Sequence, residues 1–370
     1  MKKADIKTIL VPIDFSRLSA PAIRVAKDMA RRFGATIHLA HVHEFFYPPD
    51  LLSPVPIPLT NFRDDAAIRR LGRLKFLGRQ NGLLAANCHF MTGAPTFYEV
   101  CNLARQISAD LIVMSTHGYT GMAHMLAGST AERIVQHSPC PVLVVRGKAK
   151  KTSPATVSRA PLRAIDSILV PVDFSQTSFQ ALEYAIEFAE KVAARLIVFH
   201  AIALSDSFTA EGYGRYNLEA LEEAARVVSE EQMQKFIGLA KFRRVSFETV
   251  VAVAPTVLEV CTLAKMRDVD LIITATHGRT GLKHLLMGSI AEHVVRQAPR
   301  SVLVVPSHPE VRSNRLTKKA PSAAQLRIPR SDDGIRPDRG DKLTRKNRKL
   351  FAHPSPERRK TNRFRESHAV

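Results

Sequence analysis

The fold is decided by a stretch that the chain contains twice: residues 115–130 read STHGYTGMAHMLAGST, and residues 275–290 read ATHGRTGLKHLLMGSI. Each copy follows a strand-like apolar run, Asp110–Met114 or Asp270–Thr274, and leads into an amphipathic helix. A glycine-rich turn between a strand and a helix exposes backbone N–H groups that hold anions. The duplication therefore predicts two domains of one fold, each with a phosphate-binding loop.

The repeat extends along most of the chain. Ile9–Ser16 recurs as Ile168–Ser175 at an offset of about 159 residues, and Ala94–Thr96 recurs as Ala254–Thr256 at about 160. Each unit is of roughly 140 residues, an ordinary size for one domain. We predict domain 1 over residues 1–147, a flexible linker over 148–164, domain 2 over 165–306 and a disordered basic tail over 307–370.

Inside each unit, short β-branched runs alternate with segments of helical apolar spacing. Ile9–Ile13 and Ile37–Val42 predict strands, and Ala20–Phe33, which Gly34 follows, predicts the helix between them. This alternation implies parallel βαβ units, so the predicted fold class is α/β, with two tandem doubly wound, Rossmann-like parallel sheets. Such sheets bind ligands beyond the carboxyl ends of their strands, where Asp14, Val42 and the glycine turn lie.

The chain has 54 Lys and Arg against 34 Asp and Glu, and most of this excess lies outside the repeats. The tail from Ser307 has 18 basic and 7 acidic residues, which leaves three interpretations open: a solvated tail, nonspecific binding to nucleic acid or another anionic surface, and targeting. No apolar run is long enough for a membrane helix, and the four cysteines have no metal or disulfide spacing. We expect a cytoplasmic protein with no membrane partner.

Asp14 and Asp173 end the first strand of each unit. A carboxylate there can accept hydrogen bonds from an adenine amino group or a ribose hydroxyl, but it can equally cap the next helix, because a serine follows closely. The glycine turn and the helix that opens nine residues after it can surround a triphosphate chain. The same features also fit a turn and a helix cap with nothing bound.

Several histidines lie near these strand ends. His117 and His277 lie inside the glycine turns, where no obvious nucleophile accompanies them, so we assign them a structural or ligand-supporting role. His41 and His43 share one face of a strand, but a metal site needs a third ligand that the sequence does not supply. No catalytic or metal-binding residue is therefore assigned.

With these residues assembled, the chain resembles the universal stress protein family, in its tandem two-domain form. The resemblance covers roughly residues 5–147 and 164–306. It rests on V-P-x-D-F-S at Val11–Ser16 and Val170–Ser175, and on T-H-G-x9-G-S in both halves. It implies a stress-response or signalling protein in which nucleotide occupancy changes conformation or partners.

ATP-binding members of that family carry the pattern G-x2-G-x9-G-[S/T], so the resemblance implies an ATP site, with or without Mg²⁺. Both halves keep the second and third glycines but replace the first, with Ser115 and Ala275. The second half also has Ala201 where Val42 would pack against adenine. The first half is therefore the better candidate for the nucleotide site.

By that resemblance, matching positions of the two halves would line the ATP site. In the first half they are Asp14, Val42, Met114, Ser115, His117, Gly118, Gly128, Ser129 and Thr130. In the second half they are Asp173, Ala201, Thr274, Ala275, His277, Gly278, Gly288, Ser289 and Ile290.

The resemblance also implies pairing through the last strand of each domain. Val142–Val145 and Val302–Val305 would pair within one chain, as a pseudo-dimer, or between two chains, as a homodimer. Two alternatives to the ATP-binding function stay open: a nucleotide-independent module that binds unidentified protein partners, and a slow ATPase.

Overall fold

The structure is a computed structural model that describes residues 4–16, 19–44, 65–84, 87–115, 129–146, 165–202, 218–242, 244–278 and 287–307. The first half has the strands β1 (Thr8–Pro12), β2 (Thr36–His43), β3 (Cys88–Thr92), β4 (Leu111–Ser115) and β5 (Val142–Val145). Its helices are α1 (Ser19–Phe33), α2 (Asp65–Gln80), α3 (Thr96–Gln106) and α4 (Ser129–His137).

The second half repeats this order of elements. Its strands are β6 (Ser167–Pro171), β7 (Arg195–Ile202), β8 (Phe247–Val253), β9 (Leu271–Ala275) and β10 (Ser301–Val305). Its helices are α5 (Gln176–Val192), α6 (Leu218–Gly238), α7 (Thr256–Met266) and α8 (Ser289–Gln297).

All ten strands form one sheet, in the order β3-β2-β1-β4-β5-β10-β9-β6-β7-β8. Strands within each half are parallel, and the halves meet where β5 and β10 pair antiparallel, with Leu143 opposite Leu303. The last strands therefore pair within this chain, which is one of the two arrangements that the resemblance implied. In each half the strand order reverses between the first and fourth strands, so a crevice is expected at their carboxyl ends.

Helices cover both faces of the sheet. Alternate residues of each buried strand point to opposite faces, so both faces present apolar side chains that the helices bury. Ile9 and Val11 pack into a core beneath α1, α2, α5 and α6, whereas Leu10 packs into a second core beneath α3, α4, α7 and α8. The predicted α/β class, with two doubly wound units, is confirmed. The elements also agree with the predicted ones: α1 ends at Phe33, and Gly34 follows with a positive φ of 67°.

One carboxylate in each half holds the start of the central strand. Oδ2 of Asp110 accepts hydrogen bonds from the backbone N–H groups of Lys7 and Thr8, at 2.9 and 3.1 Å. Oδ2 of Asp270 does the same for Asp166 and Ser167, at 3.0 and 3.1 Å. These aspartates, which precede the repeated glycine turns in sequence, therefore fix the fourth strand of each half beside the first.

The predicted linker and residues 308–370 of the predicted basic tail lie outside the described residues. Among the described residues, no helix is long and apolar enough to cross a membrane.

Candidate functional site

Both halves carry the same turn where the central strand ends. Phe15 and Phe174 adopt a left-handed conformation there, each with a φ of 61°. A side chain with a β-carbon makes this conformation costly, by roughly 1–2 kcal/mol, so neighbouring groups must hold the turn. The preceding aspartate contributes: Oδ1 of Asp14 accepts a hydrogen bond from the backbone of Ser16 at 2.9 Å, and Asp173 repeats this contact with Ser175 at 3.1 Å.

The two carboxylate oxygens of Asp14 have different surroundings. Oδ1 also accepts a hydrogen bond from the hydroxyl of Ser19 at 2.6 Å, whereas Oδ2 is buried and has no hydrogen-bond partner within the part of the chain that the structure describes. Burial raises the pKa of Asp14, but the hydrogen bonds from Ser19 and Ser16 outweigh it, so the pKa lies below its ordinary value. Asp14 is thus ionised at neutral pH, with Oδ1 in the helix-entry turn and Oδ2 suited to a ligand donor.

A histidine on the second strand of each half, β2 or β7, holds the strand-end turn by a hydrogen bond and a ring contact. Nδ1 of His41 donates to the carbonyl oxygen of Ile13 at 2.8 Å, and Nδ1 of His200 donates to Val172 at the same distance. The imidazole rings lie 4.3 Å from Phe15 and 4.1 Å from Phe174, measured between ring centroids. Because a carbonyl only accepts, both rings must carry a proton on Nδ1. His41 and His200 therefore belong to the scaffold of the site.

A cavity of about 680 Å³ lies at the carboxyl ends of the strands in the second half. Its volume is within the range of about 300–1,000 Å³ that is usual for small-molecule sites. All second-half residues that the sequence pattern singled out line this cavity: Asp173, Ala201, Thr274, Ala275, His277, Gly278, Gly288, Ser289 and Ile290. Residues from four separate segments of the sequence are thus brought to one place.

The glycine turn of the second half packs tightly against Asp173. A β-carbon on Gly278 would lie 2.5 Å from Oδ2 of Asp173, closer than any real contact. The backbone N–H of Gly288 donates to the carbonyl of Thr276 at 2.8 Å, which closes the loop onto its own start. The hydroxyl of Thr177 donates to the carbonyl of His277 at 2.8 Å and so ties the turn to the first helix of this half.

His277 has structural contacts within this turn. Its Nδ1 lies 3.0 Å from the hydroxyl of Thr276 and 3.3 Å from that of Ser307. Ala275, which replaces the first glycine of the ATP pattern, is buried and packs in the same core as Ile273 and Val305. Its methyl group therefore sits largely in the core, and the cavity persists beside it.

The first half is described in part. Met114 is buried, Val42 packs against the same core, Ser115 is half-buried and Thr130 is exposed on α4. Ser129 begins α4. The remaining predicted residues of this half, His117, Gly118 and Gly128, lie outside the described residues.

Comparison with known proteins identifies the family. The model of the universal stress protein family matches residues 5–146 and 164–306, which together make up well over half of the chain. The chain belongs to the universal stress protein family. Its two matched segments each contain one strand-end turn with a left-handed phenylalanine, so the tandem form that the sequence predicted is present.

Two universal stress proteins each match a segment about as long as one half of this chain. Universal stress protein MJ0531 of Methanocaldococcus jannaschii is 31% identical over 153 residues, which cover 39% of this chain and 84% of that protein. Universal stress protein YxiE of Bacillus subtilis is 29% identical over 146 residues, which cover 37% of this chain and 97% of that protein.

Solved structures share the complete tandem fold. The crystal structure of a universal stress protein from Archaeoglobus fulgidus is 18% identical, with a TM-score of 0.53, and covers 83% of this chain and 98% of that one. At this identity the likeness extends to the fold alone.

The sequence pattern missed one wall of the universal stress protein cavity. Six residues of α6 line it, and none is charged: Leu221, Ala224, Ala225, Val228, Ser229 and Gln232. Thr256, at the start of α7, and His200 line it as well. Aligning α6 with α2 at the repeat offset of about 159 residues would have drawn attention to this wall. In that alignment Ser229 corresponds to Arg70, and Gln232 corresponds to Arg73.

The histidines of β2 have partners other than a metal. His43 contacts the guanidinium of Arg70, and His38 on the other face lies 2.9 Å from His89, Nδ1 to Nε2. Within the described residues, no group of three or more His, Cys, Asp or Glu side chains could hold a metal ion.

Proposed function

We propose that this universal stress protein binds adenine nucleotide, ATP, in the crevices at the carboxyl ends of its parallel strands. The observation that carries the proposal is the second-half cavity of about 680 Å³, in which the aspartate and the glycine turn of the ATP pattern come together. Nucleotide occupancy would then alter the loops around the crevice and, through them, the binding of partner proteins.

The residues present fit such a ligand. Gly278 and Gly288 form a cradle that a β-carbon would fill: at Gly278 it would meet Oδ2 of Asp173, and at Gly288 it would approach the carbonyl of Thr276 to 3.4 Å. α8 begins directly after Gly288, so its first N–H groups face the crevice and can stabilise phosphate oxygens. The bound nucleotide would supply negative charge at this turn.

The aspartates are suited to the sugar or the base. Asp14 is ionised and keeps a buried Oδ2 without a partner among the described residues, and such an oxygen gains by accepting a hydrogen bond from a hydroxyl or amino group. Asp173 holds the equivalent position beside Gly278. Val42 in the first half and Ala201 in the second would contact the base, and the larger side chain would bury more of it.

A binding role is favoured over catalysis by the groups that line the cavity. Asp173 is the single carboxylate among the described lining residues, and it is held by the strand-end turn. ATP hydrolysis usually relies on a positioned base and on carboxylates for Mg²⁺. We therefore assign a regulatory role, and Mg²⁺, if it enters, would be bound mainly by the phosphates.

Titration calorimetry of ATP with Mg²⁺ into the full-length protein tests the proposal, after any nucleotide retained through purification has been measured. We expect saturable binding that Asp14→Ala and Asp173→Ala each weaken. Asp5→Ala is the control, because Asp5 is exposed and pairs with Lys7 away from the crevice. Absence of both retained and added nucleotide would reject the proposal and favour the nucleotide-independent interaction module.

A further inference from the structure

The helix that walls the crevice differs in chemistry between the two halves. α2 and α6 occupy equivalent places: Leu74 and Met233, 159 residues apart, are both buried in the same core. The same offset relates His41 to His200, whose Nδ1 atoms make equivalent hydrogen bonds. The two helices can therefore be compared position by position.

In the second half, the α6 wall carries no charge. Val228, Ser229 and Gln232 line the cavity, beside the apolar residues at the start of the helix. Among the described lining residues, Asp173 is the one carboxylate, and none is a lysine or an arginine. A highly charged anion would meet a carboxylate here and no guanidinium from the wall.

In the first half, arginines stand at the same three positions. Arg69, Arg70 and Arg73 correspond to Val228, Ser229 and Gln232. A wall that is neutral in one half is thus strongly basic in the other, although the buried positions of the two helices are alike.

One of these arginines reaches the strand-end turn, and a second reaches the end of β2. Nη2 of Arg73 donates to the carbonyl of Phe15 at 3.2 Å, and its guanidinium lies 5.0 Å from the centroid of the Phe15 ring. Arg70 contacts His43 at the end of β2. Both side chains are largely exposed, so their remaining N–H groups can turn to a ligand beside Asp14.

We propose that the two halves hold the phosphates of a nucleotide differently: in the first half Arg70 and Arg73 bind them, whereas the second-half cavity, whose α6 wall has no guanidinium, binds its ligand mainly through the base and sugar and so discriminates less between ATP and adenosine. Arginine holds phosphate through paired, charge-assisted N–H bonds that serine and glutamine cannot match. The neutral hydroxyl and amide groups of Ser229, Gln232 and Thr256 suit sugar hydroxyls and base edges instead. This inference rests on the proposed function, because it assumes that the crevices accept nucleotides.

Exchanging the two walls tests the assignment. ATP and adenosine are titrated separately into the full-length wild-type protein, into the variant Arg70→Ser with Arg73→Gln, and into the reciprocal variant Ser229→Arg with Gln232→Arg. We expect the first variant to lose at least about tenfold in ATP affinity, as charge-assisted hydrogen bonds to phosphate are lost, and to keep its adenosine affinity. The reciprocal variant should gain ATP affinity at the second site.

Two further variants guard the interpretation. Arg79→Gln removes an exposed arginine from the far end of α2 and should leave ATP binding unchanged. Arg70→Lys with Arg73→Lys keeps the charge but not the forked geometry, and should restore part of the ATP affinity.

The outcomes separate this inference from the proposed function. If the wild-type protein binds neither ATP nor adenosine, both are rejected. If ATP binds and its affinity is unchanged by the Arg70→Ser and Arg73→Gln exchange, or if ATP and adenosine weaken equally, nucleotide binding stands and the assignment of phosphate binding to Arg70 and Arg73 is wrong.

Discussion

At the end of the central strand, a guanidinium covers the ring of Phe15 in the first half, whereas the ring of Phe236 packs at 5.5 Å against Phe174 in the second. The two phenylalanines have the same backbone conformation, and each packs against a histidine whose Nδ1 donates to the residue after the central strand, Ile13 or Val172. The turn is therefore shared by both halves, while the side chains around it differ. The shared turn positions the site in both halves, and the side chains that differ around it are the candidates for a difference in the choice of ligand.

The largest expected effect concerns what the halves share, their core. Phe188 on α5 is almost completely buried and packs 5.5 Å from Phe33 on α1, between ring centroids, so it bridges the two halves. Its counterpart at the repeat offset is Met29, which is equally buried. We expect Phe188→Ala to lower the free energy of unfolding by about 3–5 kcal/mol and Met29→Ala by about 2–5 kcal/mol.

Urea denaturation followed by circular dichroism, with hydrogen exchange resolved to each half, measures this. Because one sheet and the cores on both of its faces span the two halves, each substitution should destabilise both halves together. If Phe188→Ala destabilises the second half and leaves the hydrogen exchange of the first half unchanged, the two halves do not share a cooperative core.

Much of the candidate site could be predicted from the sequence, because its backbone features lie in short segments. An aspartate after a strand and glycines before a helix have few structural uses, and finding them twice indicated a crevice. All nine predicted residues of the second half indeed line one cavity. The replacement of the first glycine by Ala275 raised a question that only packing could answer, since its methyl group lies largely in the core.

Two features could not be predicted in this way: the α6 wall of the cavity, and the join, which is the set of contacts that hold the two halves together along β5 and β10. The residues of α6 that line the cavity are ordinary helix residues, and their role depends on how the helix rotates about its axis. The join depends on side chains far apart in sequence: Nη2 of Arg146 donates to the carbonyl of Val295 at 2.7 Å, across 149 positions. The pairing of β5 with β10 inside one chain was one of two arrangements that the sequence left open.

The next effect tests whether the glycine turn and Asp173 are as tightly packed as they are in the structure. Gly278→Val should push the Asp173 carboxylate aside, at a cost of about 1–3 kcal/mol in stability, and abolish ligand binding in the second half while the first half keeps its own. Calorimetric titration with ATP and adenosine, together with thermal unfolding, measures both consequences.

Gly238→Ala is the control for that substitution. A β-carbon on Gly238, at the end of α6, would meet no atom within 4 Å, so stability and binding should be retained. If the Gly278→Val variant binds ligand at the second site as tightly as the wild-type protein does, the glycine turn is not as tightly packed as we infer.

A smaller effect on stability is expected at the join, where an ion pair links the two halves on one side only. Nε of Arg296 lies 2.5 Å from Oε1 of Glu132 in the other half, and its Nη2 lies 2.8 Å from Glu292. The counterpart of Arg296 in the first half is Gln136, so the ion pair forms on one side of the join. Because the pair is partly exposed, we expect Arg296→Gln to cost about 1 kcal/mol.

A double-mutant cycle with Glu132→Gln isolates this pair. Arg300→Gln is the matched control, since Arg300 pairs with exposed Asp268 within the second half and should contribute less. Independent, additive effects of Arg296→Gln and Glu132→Gln would show that the pair does not help to join the halves.

The smallest expected effect is a dependence of stability on pH that arises in the first half and not in the second. Burial lowers the pKa of His38, His41 and His89 in the first half below the ordinary value of 6.5, and the charge of His38 lowers the pKa of His89 further. In the second half, Ile197 stands at the position of His38, and Val250 stands in the register of His89. The unfolded chain thus binds more protons than the folded first half below about pH 6.5.

The sign follows from this difference. With lowered folded-state pKa values, the contribution of these histidines to stability is complete above pH 6.5 and is lost as the pH falls below that value. We expect urea denaturation at pH 7.5 and 5.5 to show a lower stability at pH 5.5, with hydrogen exchange rising first in the first half. Replacing the stacked pair by its second-half equivalents, His38→Ile with His89→Val, should reduce that loss without affecting the second half. A loss of the same size in this variant would mean that His41 or groups elsewhere carry the acid sensitivity, and that the histidine pair does not distinguish the halves.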